Sequence, residues 1–532
     1  MSDLLGKRLE LSRRHLLQRF GGGAVAAMAL VQAGPLLASP VFRTYPFQLG
    51  VASGDPAPDG FVIWTRLAPD PLDIDYGMPA AAVEVGWEVA ADEVFREIVQ
   101  TGTALARPEL GHAVHVEVAG LQPGRPYWYR FTAGRERSLW GQARTLPTAG
   151  APVERLRFGV AGCQHFEQGY YTAYRHLAAE NPEFVFCYGD YIYEGRSNRV
   201  WNGGEMGPIE NVRQYAGDEL YSLGDYRRRY AQTRMDTDLQ AAHAAAPWFM
   251  TWDDHEIDNN WTAEIDQDGT PAAIFALRKQ AAMQAYYEHM PLRASSMPVG
   301  PAMRLYRQAS YGDLLDLNLL DTRQYRSDQP CEDRWGQPCD TIGRRDAEVL
   351  GRAQESWLFE RLRQSQSRWQ VLAQQVMMMD LDRTPGEVRT ENLDSWAGYR
   401  EPRRRLLETV REQGRGNVVV LTGDEHQNYA GELHLDGQRP DARPIATEFV
   451  TTSISSGGNG VDQRADTAAI QQENPQLKWH NARRGYVICD VTPDVWTTEY
   501  RTLDSVTERG AEIRTRMRMA VDHGRPGSLA EA

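Results

Sequence analysis

Five cysteines in 532 residues are too few for a disulfide framework, so a hydrophobic core rather than cross-links must hold this chain. Beyond the N-terminus there is no run apolar enough to cross a bilayer. Positive charge is not in excess either: the formal net charge is −14, which argues against nucleic acid as a partner. Short repeats and low-complexity tracts are missing, which leaves an ordinary folded chain, and its length suits two domains. The 42% hydrophobic and 24% charged fractions fit that reading.

Residues 1–38 stand apart. They carry Lys7, Arg8, Arg13, Arg14 and Arg19 against Asp3 and Glu10, and removing them would take the net charge to about −17. Ser12-Arg13-Arg14-His15-Leu16-Leu17 precedes a glycine-diluted apolar stretch from Phe20 to Val31, and Ala38 offers a cleavage point. This pattern resembles a twin-arginine export signal. It predicts delivery by the twin-arginine translocation machinery to a periplasmic or secreted location, with no transmembrane segment in the mature chain. In such an oxidising compartment Cys331 and Cys339, separated by a seven-residue loop, are expected to close a small bridge. Cys187 and Cys489 lie in apolar runs and read as buried small hydrophobes.

From 45 to 147 the pattern is β. Val83, Val85, Trp87 and Val89 alternate with other residues, as do Val114, Val116 and Val118, and Tyr127, Tyr129 and Phe131. Leu121-Gln122-Pro123-Gly124 followed by Tyr127 resembles the corner of a fibronectin type III sandwich. A hinge-like stretch from Leu146 to Pro152 then marks a boundary. From 155 to 505 short apolar strands (Phe158–Gly162, Phe184–Tyr188, Trp248–Trp252, Leu314–Leu320, Trp369–Ala373, Val418–Leu421) alternate with helical runs such as Tyr170–Asn181 and Ala272–His289. The expected fold class is therefore α/β (α+β), central sheet layers flanked by helices, preceded by a small all-β sandwich. Ile513, Met517 and Val521 are spaced four apart, which predicts a helical tail over 506–532.

Acidic clusters follow three of these strands: Gly189-Asp190-Tyr191-Ile192-Tyr193, Trp252-Asp253-Asp254-His255-Glu256 and Gly423-Asp424-Glu425-His426. Strand ends of an open α/β sheet meet in one crevice, where carboxylates packed without cations would repel. A metal site follows. Asp190 and Tyr193 suit a bridging carboxylate beside a phenolate on a hard ion such as Fe³⁺. Cys163 ends the first strand of this region, and metal coordination deprotonates thiols. Asp254 holds the ligating slot of its segment, His255 suits either donating to a phosphate oxygen or orienting a neighbouring carboxylate, and Asp253 and Glu256 are equally open to solvated or structural roles. His165 reads more simply as a hydrogen-bonded loop histidine.

The chain resembles the PhoD-like alkaline phosphatases, a metallophosphoesterase branch. The likeness runs from Gly50-Val51-Ala52-Ser53-Gly54-Asp55-Pro56 and Phe61-Val62-Ile63-Trp64-Thr65-Arg66 through Asp190–Tyr193, the Asp253–Trp261 segment and Asp321-Thr322-Arg323-Gln324-Tyr325-Arg326 to Gly423–Asn428. It implies an exported phosphoesterase with Fe³⁺ on Cys163, Asp190, Tyr193 and a member of the Asp424-Glu425-His426 group, beside one or two Ca²⁺. Asp190 would bridge, and Asp254 would face the calcium, which prefers oxygen-rich sites. A metal-bridging oxide or hydroxide would attack phosphorus of a monoester, and of a diester. Arg278, in the helix after the Asp254 segment, is the candidate phosphate clamp, and Arg323 and Arg326 are further candidates. Asn260 and Gln375 are candidate oxygen donors, and Trp479-His480 would line the mouth. Two other functions fit the same residues: a phosphodiesterase or phospholipase D acting on lipid or teichoic-acid-type diesters, and a surface-binding module stabilised by calcium. Cys163 and Tyr193 speak against the last, since structural calcium needs neither thiolate nor phenolate.

Overall fold

The computed structural model describes residues 40–201, 208–332, 335–436 and 443–532, so the segment read as an export signal lies outside the described residues. With two-residue bridges left unlabelled, the N-terminal strands are β1 (Val51–Ala57), β2 (Gly60–Arg66), β3 (Val83–Ala90), β4 (Ile98–Ala106), β5 (Ala113–Val118), β6 (Pro126–Ala133) and β7 (Gly141–Arg144). They form two antiparallel ladders, β1-β2-β5 and β4-β3-β6-β7. Apolar residues that alternate along the strands, among them Phe61, Ile63, Val85, Val89, Tyr129 and Phe131, share one core. The backbone N–H of Gln122 donates to the Tyr127 hydroxyl at 3.0 Å, which ties the corner down.

Next come β8 (Leu156–Ala161), β9 (Val185–Cys187), β10 (Pro247–Met250), β11 (Arg307–Tyr311), β12 (Leu315–Leu319), β13 (Trp369–Ala373), β14 (Val418–Thr422), β15 (Asn428–Leu433), β16 (Ala446–Val450), β17 (Leu477–Val491), β18 (Val495–Leu503), β19 (Ile513–Asp522) and β20 (Arg525–Glu531). One sheet runs β5-β2-β1-β10-β9-β8-β17-β18-β19-β20, parallel from β1 across to β8. The other runs β11-β12-β13-β14-β16-β15-β17, parallel from β12 to β16. The 15-residue β17 belongs to both: its first part pairs with β15 and its last with β8.

The central parallel strands are buried on both faces, which is why they read as continuous apolar runs. Phe158, Val160, Phe186 and Phe249 point from the first sheet to meet Leu317, Val371, Val419 and Phe449 of the second. Their alternates Val185, Cys187, Trp248 and Met250 pack under α1 (Thr172–Ala179), α2 (Leu223–Arg234), α3 (Thr237–Ala245) and α4 (Ala272–His289). Leu372, Val418 and Val420 pack under α5 (Gly351–Gln364) and α6 (Arg400–Gln413). The result is helices, sheet, sheet, helices, with a large central β core as expected.

One expectation needs correction. The stretch after residue 506 is the hairpin β19–β20, not a helix: a spacing of four is a multiple of the strand period as well as near the helical one, and Thr515, Met517, Met519 and Val521 share the strand's two-residue beat. Strand pairing crosses the stretch at 146–152: β1 pairs in parallel with β10, Ser53 with Pro247 and Gly54 with Trp248. Residues 42–532 form one body. Arg307 seals the junction through Asp55 at 2.5 Å, and the Trp64 indole donates to the carbonyl of Glu288 at 2.9 Å. Cys331 and Cys339 are bonded as expected, and Cys163, Cys187 and Cys489 are free and buried.

Candidate metal centre

Each parallel strand releases a polar loop at its C-terminal end, and those ends lie side by side. β8 leads to Cys163, β9 to Asp190 and Tyr193, β10 to Asp253 and Asp254, β14 to Asp424 and His426. Cys163, Asp190, Asn260, Asp424 and His426 all have left-handed backbones, with φ of 51°, 54°, 48°, 65° and 54°. Such conformations cost energy for residues other than glycine and concentrate at functional sites. A methyl on Gly423 would run into the Tyr188 ring and one on Gly189 into the backbone of Asp253, so glycine is needed beside the acids to let the loops close up.

Three groups of side chains bring their ligand atoms within 4.8 Å of one another: Cys163, Asp190 and His426; Asp190, Asp254 and His255; Asp253, Asp254 and Asp424. Asp190 and Asp254 are each shared, so the three groups form one chain of sites. The Tyr193 hydroxyl donates to Asp190 Oδ2 at 2.8 Å and lies 3.1 Å from His426 Nε2. All six metal candidates therefore meet in one crevice.

This donor set fits metal ions. Asp190 Oδ1, Asp253 Oδ2 and Asp254 Oδ1 are buried and meet no hydrogen-bond partner, a costly state for carboxylates unless a cation completes it. Burial above all, with Asp254 adding repulsion and His255 opposing it, pushes Asp190 up to about 7. Burial lifts Asp253 to about 8 against the pull of Arg323, and lifts Asp424 well above the carboxylate range with Asp253 adding repulsion. Burial would raise Asp254 too, but His255, Arg323 and the Asn260 N–H outweigh it and hold that carboxyl low. The Cys163 thiol is pushed up by burial and then by Asp190. Bound cations reverse this logic by favouring every deprotonated ligand.

The remaining candidates divide. Asp253 joins the third group and accepts from Arg323 Nε at 2.5 Å, whereas Glu256 is structural: its carboxylate takes the N–H groups of Tyr191 and Asp253 at 2.6 and 2.8 Å. His255 donates through Nδ1 to Glu194 Oε2 at 2.7 Å. Burial disfavours its charge, yet Asp254, Glu194 and Asp190 hold it well above the usual histidine value. The His165 ring packs on Tyr193 with centroids 4.4 Å apart, and its Nδ1 accepts from the Glu167 N–H. The Asn260 N–H donates to Asp254 Oδ2 at 2.8 Å, and Gln375 staples Thr322 to the carbonyl of Leu320. His480 bonds Gln427 and Thr467, and Trp479 packs on Tyr500.

The two arginines chosen as substrate contacts are engaged elsewhere. Arg278 sits on the inner face of α4, where Nη1 pairs with Asp258 at 2.7 Å and Nε donates to the carbonyl of Leu220 and to Tyr226. Through Asp258 it buttresses the 254–261 segment. Arg323 is fully buried. It binds Asp253 and Asp394, with Nη2 at 3.8 Å from both Asp254 and Asp424, so it offsets the acids' charge. Arg326 shares Asp394 with it.

Two residues with a part in the site escaped the sequence reading. Glu194 directly follows the Asp190–Tyr193 motif, and its charge beside an aromatic run was the available signal. Ser456 lies beyond β16, whose central Glu448 hides the strand; Ser456 Oγ sits 2.7 Å from the Tyr193 hydroxyl.

Comparison with known proteins identifies the class. The profile of the PhoD-like phosphatase family matches residues 158–500, and that of the PhoD-like phosphatase N-terminal domain matches 33–147. Alkaline phosphatase D of Bacillus subtilis (strain 168) is 48% identical over 511 residues, 95% of this chain and 86% of that one. A solved structure titled "Structure of PhoD" matches with a TM-score of 0.90 at 48% identity, over 93% of each chain. The protein is a phosphoric ester hydrolase, with a site whose residues fit metal ions. It belongs to the PhoD-like phosphatase family.

Proposed function

We propose that this hydrolase acts on phosphomonoesters, and on diesters at a lower rate, with Fe³⁺ held by Cys163, Asp190, Tyr193 and His426 and with one or two Ca²⁺ among Asp190, Asp254, Asp253 and Asp424. The observation that carries the reading is the pair of shared carboxylates, Asp190 and Asp254, which link three adjoining metal-sized groups. A sulfur, a phenol and an imidazole gather at one end of that chain, and oxygens alone at the other. That division suits a trivalent iron beside harder divalent calcium. The ions would supply Lewis acidity toward the phosphoryl oxygens.

The protein's own groups orient the ester. With Nδ1 of His255 committed to Glu194, Nε2 is left to meet a phosphate oxygen or the departing alkoxide. Arg323 keeps the acids from repelling one another before cations arrive. Asn260 fixes Asp254 through its backbone N–H and through Gln329, which donates to the Asn260 carbonyl at 2.6 Å. The close relatives favour this hydrolase over a calcium-stabilised binding module. Among the described residues no helix is long and apolar enough to cross a membrane, and the Arg13-Arg14 segment supports export through the twin-arginine route.

The test measures metal content and turnover together. Purified protein should contain iron and calcium, absorb visible light through a phenolate-to-iron band, and hydrolyse p-nitrophenyl phosphate faster than its bis ester. Tyr193→Phe and Cys163→Ser should lose the band or the activity; full activity in both would overturn the iron assignment.

A further inference from the structure

Ser456 is wholly buried, and its hydroxyl touches three groups. The His165 N–H donates to it at 3.0 Å, it donates to the carbonyl of Cys163 at 2.7 Å, and the Tyr193 hydroxyl lies 2.7 Å away. A serine hydroxyl has one proton and two lone pairs, so all three contacts are satisfied only if Tyr193 gives its proton to Ser456. Yet the single phenolic proton faces Asp190 Oδ2 at 2.8 Å and His426 Nε2 at 3.1 Å as well. Acceptors crowd around one proton. The arrangement fits a phenolic oxygen that serves as a ligand and therefore takes hydrogen bonds instead of giving them.

The serine is itself held from several sides. Its backbone N–H reaches the Cys163 carbonyl at 3.3 Å, Ser453 Oγ donates to its carbonyl at 2.6 Å, and the next residue, Gly457, is gripped by Gln168 at 2.6 Å and by Arg484 at 3.0 Å. Among the described residues Ser456 supplies the hydroxyl within bonding distance of the Tyr193 oxygen.

Resting on the reading of Tyr193 as an iron ligand, we propose that Ser456 is a positioning residue: its hydroxyl turns from the Cys163 carbonyl to the Tyr193 oxygen and sets the strength of the tyrosine–metal bond. A hydrogen bond to the phenolate lowers the energy of its donor electrons. Removing it weakens ligand orientation and narrows the gap across which the ligand-to-metal transition occurs. Partners of this kind alter metal retention or activity by about ten- to a hundredfold.

The experiment compares holoenzyme of wild type, Ser456→Ala and Ser456→Thr by visible absorption, iron per chain and kinetics. Ser456→Ala should keep its fold by circular dichroism, move the visible band to longer wavelength, lose iron to a chelator about ten- to a hundredfold faster and lower kcat with KM unchanged. Ser456→Thr, which keeps the hydroxyl, should restore the band position. If the alanine variant fails to fold, Ser456→Cys, near in size and a weaker donor, should show the same shift. A coloured wild type whose band, iron retention and kcat match those of the variant overturns the proposal alone. A colourless, iron-free wild type overturns the iron reading, and the proposal with it.

Discussion

Arg323 offers the sharpest test of how the acids coexist. Its guanidinium is fully buried, pairs with Asp253 at 2.5 Å and Asp394 at 2.7 Å, and stands 3.8 Å from both Asp254 and Asp424. Arg323→Met keeps most of the volume and removes the charge. Breaking a buried pair from one side costs about 3–5 kcal/mol, because the partner's charge is left uncompensated. Asp253, held at about 8 in the folded chain against about 4 when unfolded, fixes the pH dependence. Between those values the native state binds more protons than the unfolded one, so stability falls as pH rises. Arg323 opposes that fall. The deficit of the variant should therefore be largest above about pH 8 and shrink toward about pH 4, where the folded Asp253 carboxyl is neutral with or without Arg323. Urea midpoints of chelator-stripped protein at both ends of that window measure the effect, and added calcium should narrow it. A deficit below about 1 kcal/mol, or one that does not change with pH, would refute the charge-balancing role.

Three further outcomes follow from the structure. Glu194→Gln leaves His255 without its anionic partner, so kcat should drop about a hundredfold with KM little changed; an unaltered kcat in steady-state assays would remove His255 from the reaction. Gly423→Ala places a methyl against the Tyr188 ring and should cost about 1–3 kcal/mol in thermal unfolding while also reducing activity; a melting curve like that of wild type would show that the loop yields. Replacing both Arg13 and Arg14 by lysine should leave the precursor in the cytoplasm, as read by fractionation; normal export of that variant would dismiss the twin-arginine reading.

The residues that meet in the crevice were legible because the strands before them are buried on both faces and stand out as apolar runs that stop at Gly-Cys, Gly-Asp or Asp-Asp. Even Asp253 and Glu256, one a cluster member and the other a backbone clamp, were distinguishable only as a pair with open roles, since identical carboxyl groups take their function from the atoms around them. The arginines illustrate a similar point. Arg278 and Arg323 sit where a phosphate binder would be expected along the chain, and the fold pairs them with Asp258, and with Asp253 and Asp394, contacts that the spacing alone does not show. Glu448 concealed β16, and with it Ser456, because a charged residue inside a strand breaks the apolar signal unless backbone donors, here Met378 and Met379, accommodate it. In the tail, spacing by four satisfied two periodicities, and only pairing with β18 decides between them.

The parallel bond between β1 and β10 bears on how this protein can be taken apart. A chain cut near residue 150 would strip the first sheet of a paired neighbour, and β10 would face water with its donors and acceptors open, ready to capture a strand of another molecule. An exchange of the N-terminal part has to keep that pairing. Fusion partners and affinity handles belong at the C-terminus, beyond the last hairpin, where an added segment leaves every ladder intact.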